Sequence, residues 1–381
     1  MPTTKDGSWM ITAFDIADGK ICYGQARHTS EKAYKNDLTQ KSKPNVGDIL
    51  ITKDGTLGRI AVVDRTAICI NQSVACLRPL LDTDVRFLVH YLRSDIGQER
   101  MLADAGGSTI KHIYITKLTQ MEVPVPPREE RTRISDILDT IDEAIAHTSS
   151  LIAKLKQMKA GLLHDLLTRG LDENGELRDA IAHPKQFKDS PLGLIPKGWT
   201  VSSVEGEFDI TTGFTLGEHR RPRKNKRKYL RVANVQREEI LLNDIAELEA
   251  EDREFSSRLL EKDDLLIVEG HANPDEIGRC AIVPTAAVGL TFQNHLFRLR
   301  YRDIQPKFAL AWLNSEWFRA YWRRLCGTSS GLNTINRTML NAIPVPIPEE
   351  KEQSRIIAVF DTYKERIRTE EAYRDKLKFQ K

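Results

Sequence analysis

Apolar and polar residues alternate along this chain in a pattern that is written twice, in one order. WMITAFDI (9–16) predicts a short strand ending in an acid, and YLRVANV (229–235) is its counterpart, with Asn234 where the first copy has Asp15. GDILITKDGTLGRIAVV (47–63) and KDDLLIVEGHANPDEIGRCAIV (262–283) each predict strand, polar glycine-bearing loop and strand. ICINQSVACLRP (68–79) and LTFQNHLFRLRY (290–301) alternate over a polar centre. FLVHYLRS (87–94) pairs with FALAWLNS (308–315) as an amphipathic helix, and GGSTIKHI (106–113) pairs loosely with GLNTINRT (331–338). A repeat of about 220 residues predicts two like domains rather than a solenoid.

Each copy closes on a proline run, Val-Pro-Val-Pro-Pro at 123–127 and Ile-Pro-Val-Pro-Ile-Pro at 343–348. Proline cannot donate to a ladder and turns the preceding residue away from helix, so each run is an extended strap. A helix follows each strap. From Arg128 to about Arg169 there is no proline, and no glycine before Gly161. Ile134, Leu138, Ile141, Ile145, Ile152, Leu155, Leu162 and Leu166 keep one apolar stripe along a helix roughly 60 Å long. In the second copy Ile356, Phe360, Tyr363, Ile367, Tyr373 and Leu377 match Ile134, Leu138, Ile141, Ile145, Leu151 and Leu155. Two such stripes predict a helix pair packed as an antiparallel coiled coil, the alternative being that each helix folds back on its own domain. The expected fold is α/β (α+β), with two similar mixed domains separated by the two helices. The expected boundaries are 1–127, helix 128–170, polar linker 171–190, 191–348 and helix 349–381.

Composition changes this picture only locally. The 381 residues carry a net charge of +3, so any affinity for nucleic acid must come from a patch. One run qualifies: seven of the ten residues from His219 to Lys228 are basic (Arg220, Arg221, Arg223, Lys224, Lys226, Arg227 and Lys228). It is either a solvated loop or a phosphate-contacting one, and in the second case binding is strongly salt-dependent. The five scattered cysteines, Cys22, Cys69, Cys76, Cys280 and Cys326, read as free thiols of a reducing compartment. No CxxC pair and no zinc-type histidine spacing occurs, so no metal site is expected. With neither a signal peptide nor an apolar run of spanning length, a soluble, cytoplasmic protein is expected, with no membrane partner.

The pieces SPLGLIPKGW leading into a domain, GDILITKDGTLGR within one, VPVPPREERTRISDILDTID closing one and LKQMKAGLLHDLLTRG ending the helix together carry a resemblance. Over nearly its whole length the chain resembles the specificity (HsdS-type) subunit of a type I restriction–modification enzyme. The resemblance implies a non-catalytic DNA reader, in which each target-recognition domain recognises one half of a split double-stranded target. It also implies that the paired helices act as a ruler between the halves and dock two methyltransferase subunits. Those partners bind S-adenosylmethionine and methylate adenines, nuclease and translocase subunits join the core, and this chain holds no cofactor.

Enzyme motifs are missing in support. Asn273-Pro274-Asp275-Glu276 is not the Asn-Pro-Pro-aromatic run of an adenine methyltransferase, and no GxxxxGK[ST] occurs. Glu349, Glu350 and Lys351 superficially suggest a nuclease but fall at a helix start, where carboxylates favour the helix dipole. No catalytic residue is therefore assigned. Candidate base readers are Lys53, Thr56 and Arg59 on the first glycine loop, and Glu269, His271, Asn273 and Arg279 on its longer counterpart. Gln72 and Ser73 match Asn294 and His295, while Ser108, Thr109, Lys111 and His112 match Asn333, Thr334, Asn336 and Arg337. Arg and Lys suit guanine and Asn and Gln suit adenine, although each residue is equally read as a turn former or phosphate contact.

The copies differ at their ends. The second has about 35 residues between Leu194 and Tyr229, with an Ile-Pro-Lys-Gly-Trp lead-in and the basic loop, against nine before Met10 in the first. The second helix stops at Lys381, near the point matching Lys159. Three functions follow: a bipartite DNA-specificity subunit that docks methyltransferase subunits; a truncated or degenerate relative that is mainly a methyltransferase scaffold with half-site recognition; and an enzyme of unrecognised mechanism, which the lack of a clustered acid–base or metal constellation disfavours.

Overall fold

The computed structural model describes residues 3–80, 83–103, 112–325 and 333–381, so Ser108, Thr109, Lys111 and Cys326 lie outside the described residues. The chain divides into two compact units, Met1–His147 with Arg374–Lys381, and Thr148–Tyr373.

In the first unit, strand Ser8–Ile11 lies between Arg27–Thr29 (antiparallel) and Ile68–Ile70 (parallel). A second sheet sets Ile49–Thr52 between Ile60–Val62 and Val74–Leu77, both antiparallel. Ile49–Thr52 reads as an unbroken apolar run because both of its faces are covered. Leu50 points into a core with Ile11, Ile16 and Ile68, while Ile49 and Ile51 point to Leu92 and Met101 on helices Val85–Arg93 and Asp95–Leu102.

The second unit repeats the plan. Leu265–Val268 pairs with Cys280–Ile282 and Leu296–Tyr301, and Lys226–Leu230 runs parallel to Thr291–Phe292. Leu266 and Val268 face Leu230 and Phe292, and Leu265 and Ile267 face Phe308 and Trp312 of helix Pro306–Leu313. Strand Phe208–Thr212 extends this sheet beyond Leu296–Tyr301.

The two straps differ. Pro344–Ile347 is a strand, paired antiparallel with Thr200–Ser203, and its prolines sit where an edge strand tolerates them. Residues 123–127 belong to no strand, and Val125 is 74% exposed.

Both long helices are present, as Arg128–Thr168 and Glu350–Gln380. Ile152, Ile356, Phe360 and Ile367 are buried, and Ile134, Leu138, Ile141, Ile145, Leu155, Tyr363 and Leu377 are half-buried. Tyr373 departs from the expected stripe and is 51% exposed. Steps of three and four from Ile367 reach Glu370 and Arg374 instead, and both are largely covered. Within the second unit Lys156 on the first helix meets Glu371 on the second at 2.6 Å.

The stretch read as a polar linker is folded onto the second unit. Phe187–Ser190 and Gly193–Pro196 form a hairpin, and Leu171, Ile195 and Trp199 join the core of Leu166, Leu167, Ile356 and Phe360. Glu352, at the start of the second long helix, is buried and holds the turn: Leu171 N–H donates to it at 2.9 Å and the Arg178 guanidinium at 2.6 and 3.2 Å. Gly170 stands there at φ +63°, and a Cβ on it would lie 2.2 Å from the Glu352 carboxylate. That crowding explains the glycine ending LLTRG.

Among the described residues no helix is long and apolar enough to cross a membrane, and no cluster of three or more His, Cys, Asp or Glu is placed to hold a metal. Cys22, Cys69, Cys76 and Cys280 are free. Burial pushes the Cys69 thiol up to about 11, so it is not a nucleophile at neutral pH.

Candidate nucleic-acid interface

One set of backbone hydrogen bonds shapes the same end of the central strand in both units. In the first, Lys53 N–H donates to Ser73 C=O (2.9 Å), Ile113 N–H to Lys53 C=O (2.9 Å), Thr52 N–H to Arg59 C=O (2.9 Å) and Gly58 N–H to Thr52 C=O (2.9 Å). In the second, Glu269 N–H donates to His295 C=O (3.0 Å), Ile335 N–H to Glu269 C=O (2.7 Å), Val268 N–H to Arg279 C=O (3.0 Å) and Gly278 N–H to Val268 C=O (3.1 Å). Gly58 and Gly278 close the loops in the left-handed region. The frame encloses six residues, 53–58, in one unit and ten, 269–278, in the other.

The frame gathers three of the predicted segments in each unit. Asp54 bridges to His112, and Gly270 and His271 pair with Thr334 and Asn333. Gln72 is exposed and has no side-chain partner among the described residues, and Thr56 is exposed at the loop tip. Lys53 lies 3.2 Å from Asp54, and His112 packs edge-on against Tyr114. In the second unit the half-exposed Asn294 has no side-chain partner among the described residues, and His295 is exposed with its ring 2.8 Å from the Glu269 carboxylate.

Other candidates are occupied by the fold. Arg279 is 6% exposed, pairs with Glu276 at 3.2 Å and donates to Val232 C=O at 2.9 Å. Arg59 donates to Ile16 C=O (3.1 Å) and Arg337 to Ile210 C=O (3.0 Å). Asn336 accepts from Met339 N–H and caps helix Arg337–Asn341. Asn273 accepts from Asp275 N–H, while its own N–H donates to the His271 ring.

The basic run divides. Arg220 reaches Glu254 at 2.7 Å and lies 4.9 Å over the Phe214 ring, with Arg258 4.8 Å from that ring as well. The Arg220 hydrogen bond holds the Glu254 carboxyl below the usual carboxylate range. Arg227 pairs with Asp252 and lies over Phe255, and Arg221 pairs with Glu218. Glu249 accepts the N–H groups of Arg223 (2.6 Å) and Asn225 (2.8 Å), which holds the turn open. The side chains of Arg223, Lys224, Lys226 and Lys228 are exposed, with no ion pair among the described residues. Lys226 and Lys228 stand two residues apart on one strand and share a face, so these four are the cations of the run left without an ion pair among the described residues.

Comparison with known proteins agrees with this duplicated geometry. The family model described as "Type I restriction modification DNA specificity domain" matches residues 3–157 and again 196–378. The chain is 22% identical over 359 residues to the type I restriction enzyme StySPI specificity subunit of Salmonella potsdam, covering 91% of this chain and 73% of that one. It is 25% identical over 323 residues to the MjaVIII specificity subunit of Methanocaldococcus jannaschii, covering 81% and 70%. A structure solved in work on complex assembly and conformational transition of the type I R–M system superposes with a TM-score of 0.62 at 18% identity, covering 100% of this chain and 92% of that one. The chain belongs to the type I restriction modification DNA specificity domain family and carries two DNA-recognition domains of a specificity subunit.

Proposed function

We propose that this chain is the specificity subunit of a type I restriction–modification complex and reads a bipartite double-stranded DNA target, one half with each unit. The observation that carries this reading is the shared frame: the same four backbone hydrogen bonds present different side chains on loops of six and ten residues. Two half-sites of different sequence require that combination, because backbone bonds hold the pose while base-edge chemistry varies. Lys53, Thr56, Gln72 and His112 are the reading set of the first unit, and His271, Asn294 and His295 that of the second. Arg223, Lys224, Lys226 and Lys228 contact phosphates.

The two long helices pack as an antiparallel coiled coil, set the distance between the half-sites and dock two methyltransferase subunits. Those subunits bring S-adenosylmethionine and the chemistry, and restriction and translocase subunits join them. This chain supplies recognition and no catalytic group. A half-site scaffold is the second reading, favoured by the strap at 123–127, which lacks the strand partner of its counterpart.

Co-expression with the methyltransferase subunit in a host free of adenine methylation, followed by sequencing of modified adenines, separates the two. A single split motif with two fixed halves is expected. A one-half motif establishes the scaffold reading, and no methylation despite complex formation rejects both.

A further inference from the structure

The hairpin at the foot of the second unit's reading loop joins that loop to both long helices. Val235 bridges to Ile240, and Gln236 N–H and Glu239 C=O close the turn at 2.8 Å. At its tip Glu238 takes φ +67°, a left-handed conformation unfavourable for a side chain with a Cβ. Its N–H donates to Cys280 C=O at 2.9 Å. Its carboxylate receives Lys159 Nζ of the first helix on both oxygens, at 3.2 Å each, and Lys364 Nζ of the second at 3.0 Å. The three side chains are only 25%, 21% and 33% exposed, so solvent does not dissolve the cluster. The neighbouring Arg237 turns the other way, donating to Asp275 C=O of the reading loop at 2.8 Å and to Asn314 Oδ1 at 3.3 Å. Two adjacent residues therefore tie the loop at one end and the helices at the other.

The first unit has a related cluster at the matching place, with its acid on the helix. Its hairpin pairs Ile16 with Ile21, and where the second unit has Glu238 it has Gly19, at φ +77°. Gly19 lies against the Arg93 guanidinium, and Arg93 meets Asp142 of the first helix at 3.5 Å. Asp142 also pairs with Lys381. In the duplication Asp142 matches Lys364 and Lys381 matches Lys159, so the acid stands on the helix in one unit and on the hairpin in the other.

We infer that Glu238 is a positioning residue that fixes the pose of the second unit's reading loop on the helix pair, and so controls which half-site spacing is accepted rather than which bases are read. This rests on the bipartite reading above. The test uses the full chain with its methyltransferase subunits on a library of sites whose half-site spacing is the native one or one base pair longer or shorter. Glu238→Gln lowers the preference for native spacing by about threefold or more, with both half-site sequences unchanged. Lys364→Met, which removes one arm, moves it the same way by less. The double variant Glu238→Lys with Lys364→Glu moves the acid to the helix, where it stands between two cations as Asp142 does in the first unit, and restores the preference.

Unchanged spacing preference in the folded single variants overturns the inference, as does a changed half-site sequence or a double variant that is not restored. Absence of any split motif with the wild-type chain overturns the bipartite reading instead.

Discussion

The two units carry one backbone plan and complete it differently. In the first, a six-residue loop stands on the frame, and helix Val85–Arg93 is fastened by polar side chains: Arg86 meets Asp136 (2.7 Å) and Asp139 (3.1 Å), His90 meets Asp139 (2.8 Å), and Arg93 meets Asp142 (3.5 Å). In the second, a ten-residue loop stands on it, and the matching helix Pro306–Leu313 is largely buried apolar surface with Lys307–Asp361 as an ion pair at 2.6 Å. Backbone bonds do not depend on side-chain identity, so the frame survives while the surfaces it presents diverge. The fastening does depend on side chains, and so do the other contacts by which the units differ.

The largest difference is expected at matched positions of the two long helices. Glu352 is buried against Arg178, and Glu130, its counterpart, is exposed. Glu352→Ala strands the Arg178 cation and the Leu171 N–H, and destabilises the second unit by about 3–5 kcal/mol. Glu130→Ala changes stability by less than about 0.5 kcal/mol. Urea unfolding of the two variants measures both values, and equal effects would break the comparison.

A smaller and differently shaped effect is expected in the basic run. Neutralising Arg223, Lys224, Lys226 and Lys228 to Gln leaves stability near wild type and makes the slope of log K against log salt shallower by roughly 0.9 for each phosphate no longer neutralised. Arg220→Gln does the reverse: it loosens the packing over Phe214 and leaves the slope nearly unchanged. DNA-binding titrations over a salt series distinguish them.

The smallest effect is expected from Glu238. Burial alone would raise its carboxyl, but Lys159 and Lys364 outweigh that and hold it below its ordinary value of 4.5. A depressed folded-state value gives stability that is present above 4.5 and is lost as pH falls through the folded value. Thermal unfolding of the wild type therefore loses more stability on acidification below pH 4.5 than Glu238→Gln does. Parallel pH profiles would remove the clasp.

The duplication, straps, long helices and glycine loops were legible because each is a local pattern repeated in one chain. The pairing within the basic run was not, since Glu249, Asp252 and Glu254 lie more than 20 residues beyond it and reach it only through the fold. Arg279 and Asn336 looked like readers by residue type, and only burial and the cap show how they are used. The 171–190 stretch reads as a linker because its polar residues outnumber the apolar anchors Leu171, Leu177 and Phe187. Lys159 had a signal that was missed: steps of three and four from Ile152 run through Leu155 to Lys159 and on to Leu162, placing a cation on an apolar stripe.

The most direct test of the central claim, that each frame reads its own half-site through its own loop, is a loop exchange. Residues 269–278 are replaced by residues 53–58, the chimera is co-expressed with the methyltransferase subunit, and methylated adenines are mapped against the wild-type motif. One half of the motif is expected to change and the other to stay as it was. Both halves unchanged in an assembled complex would contradict it.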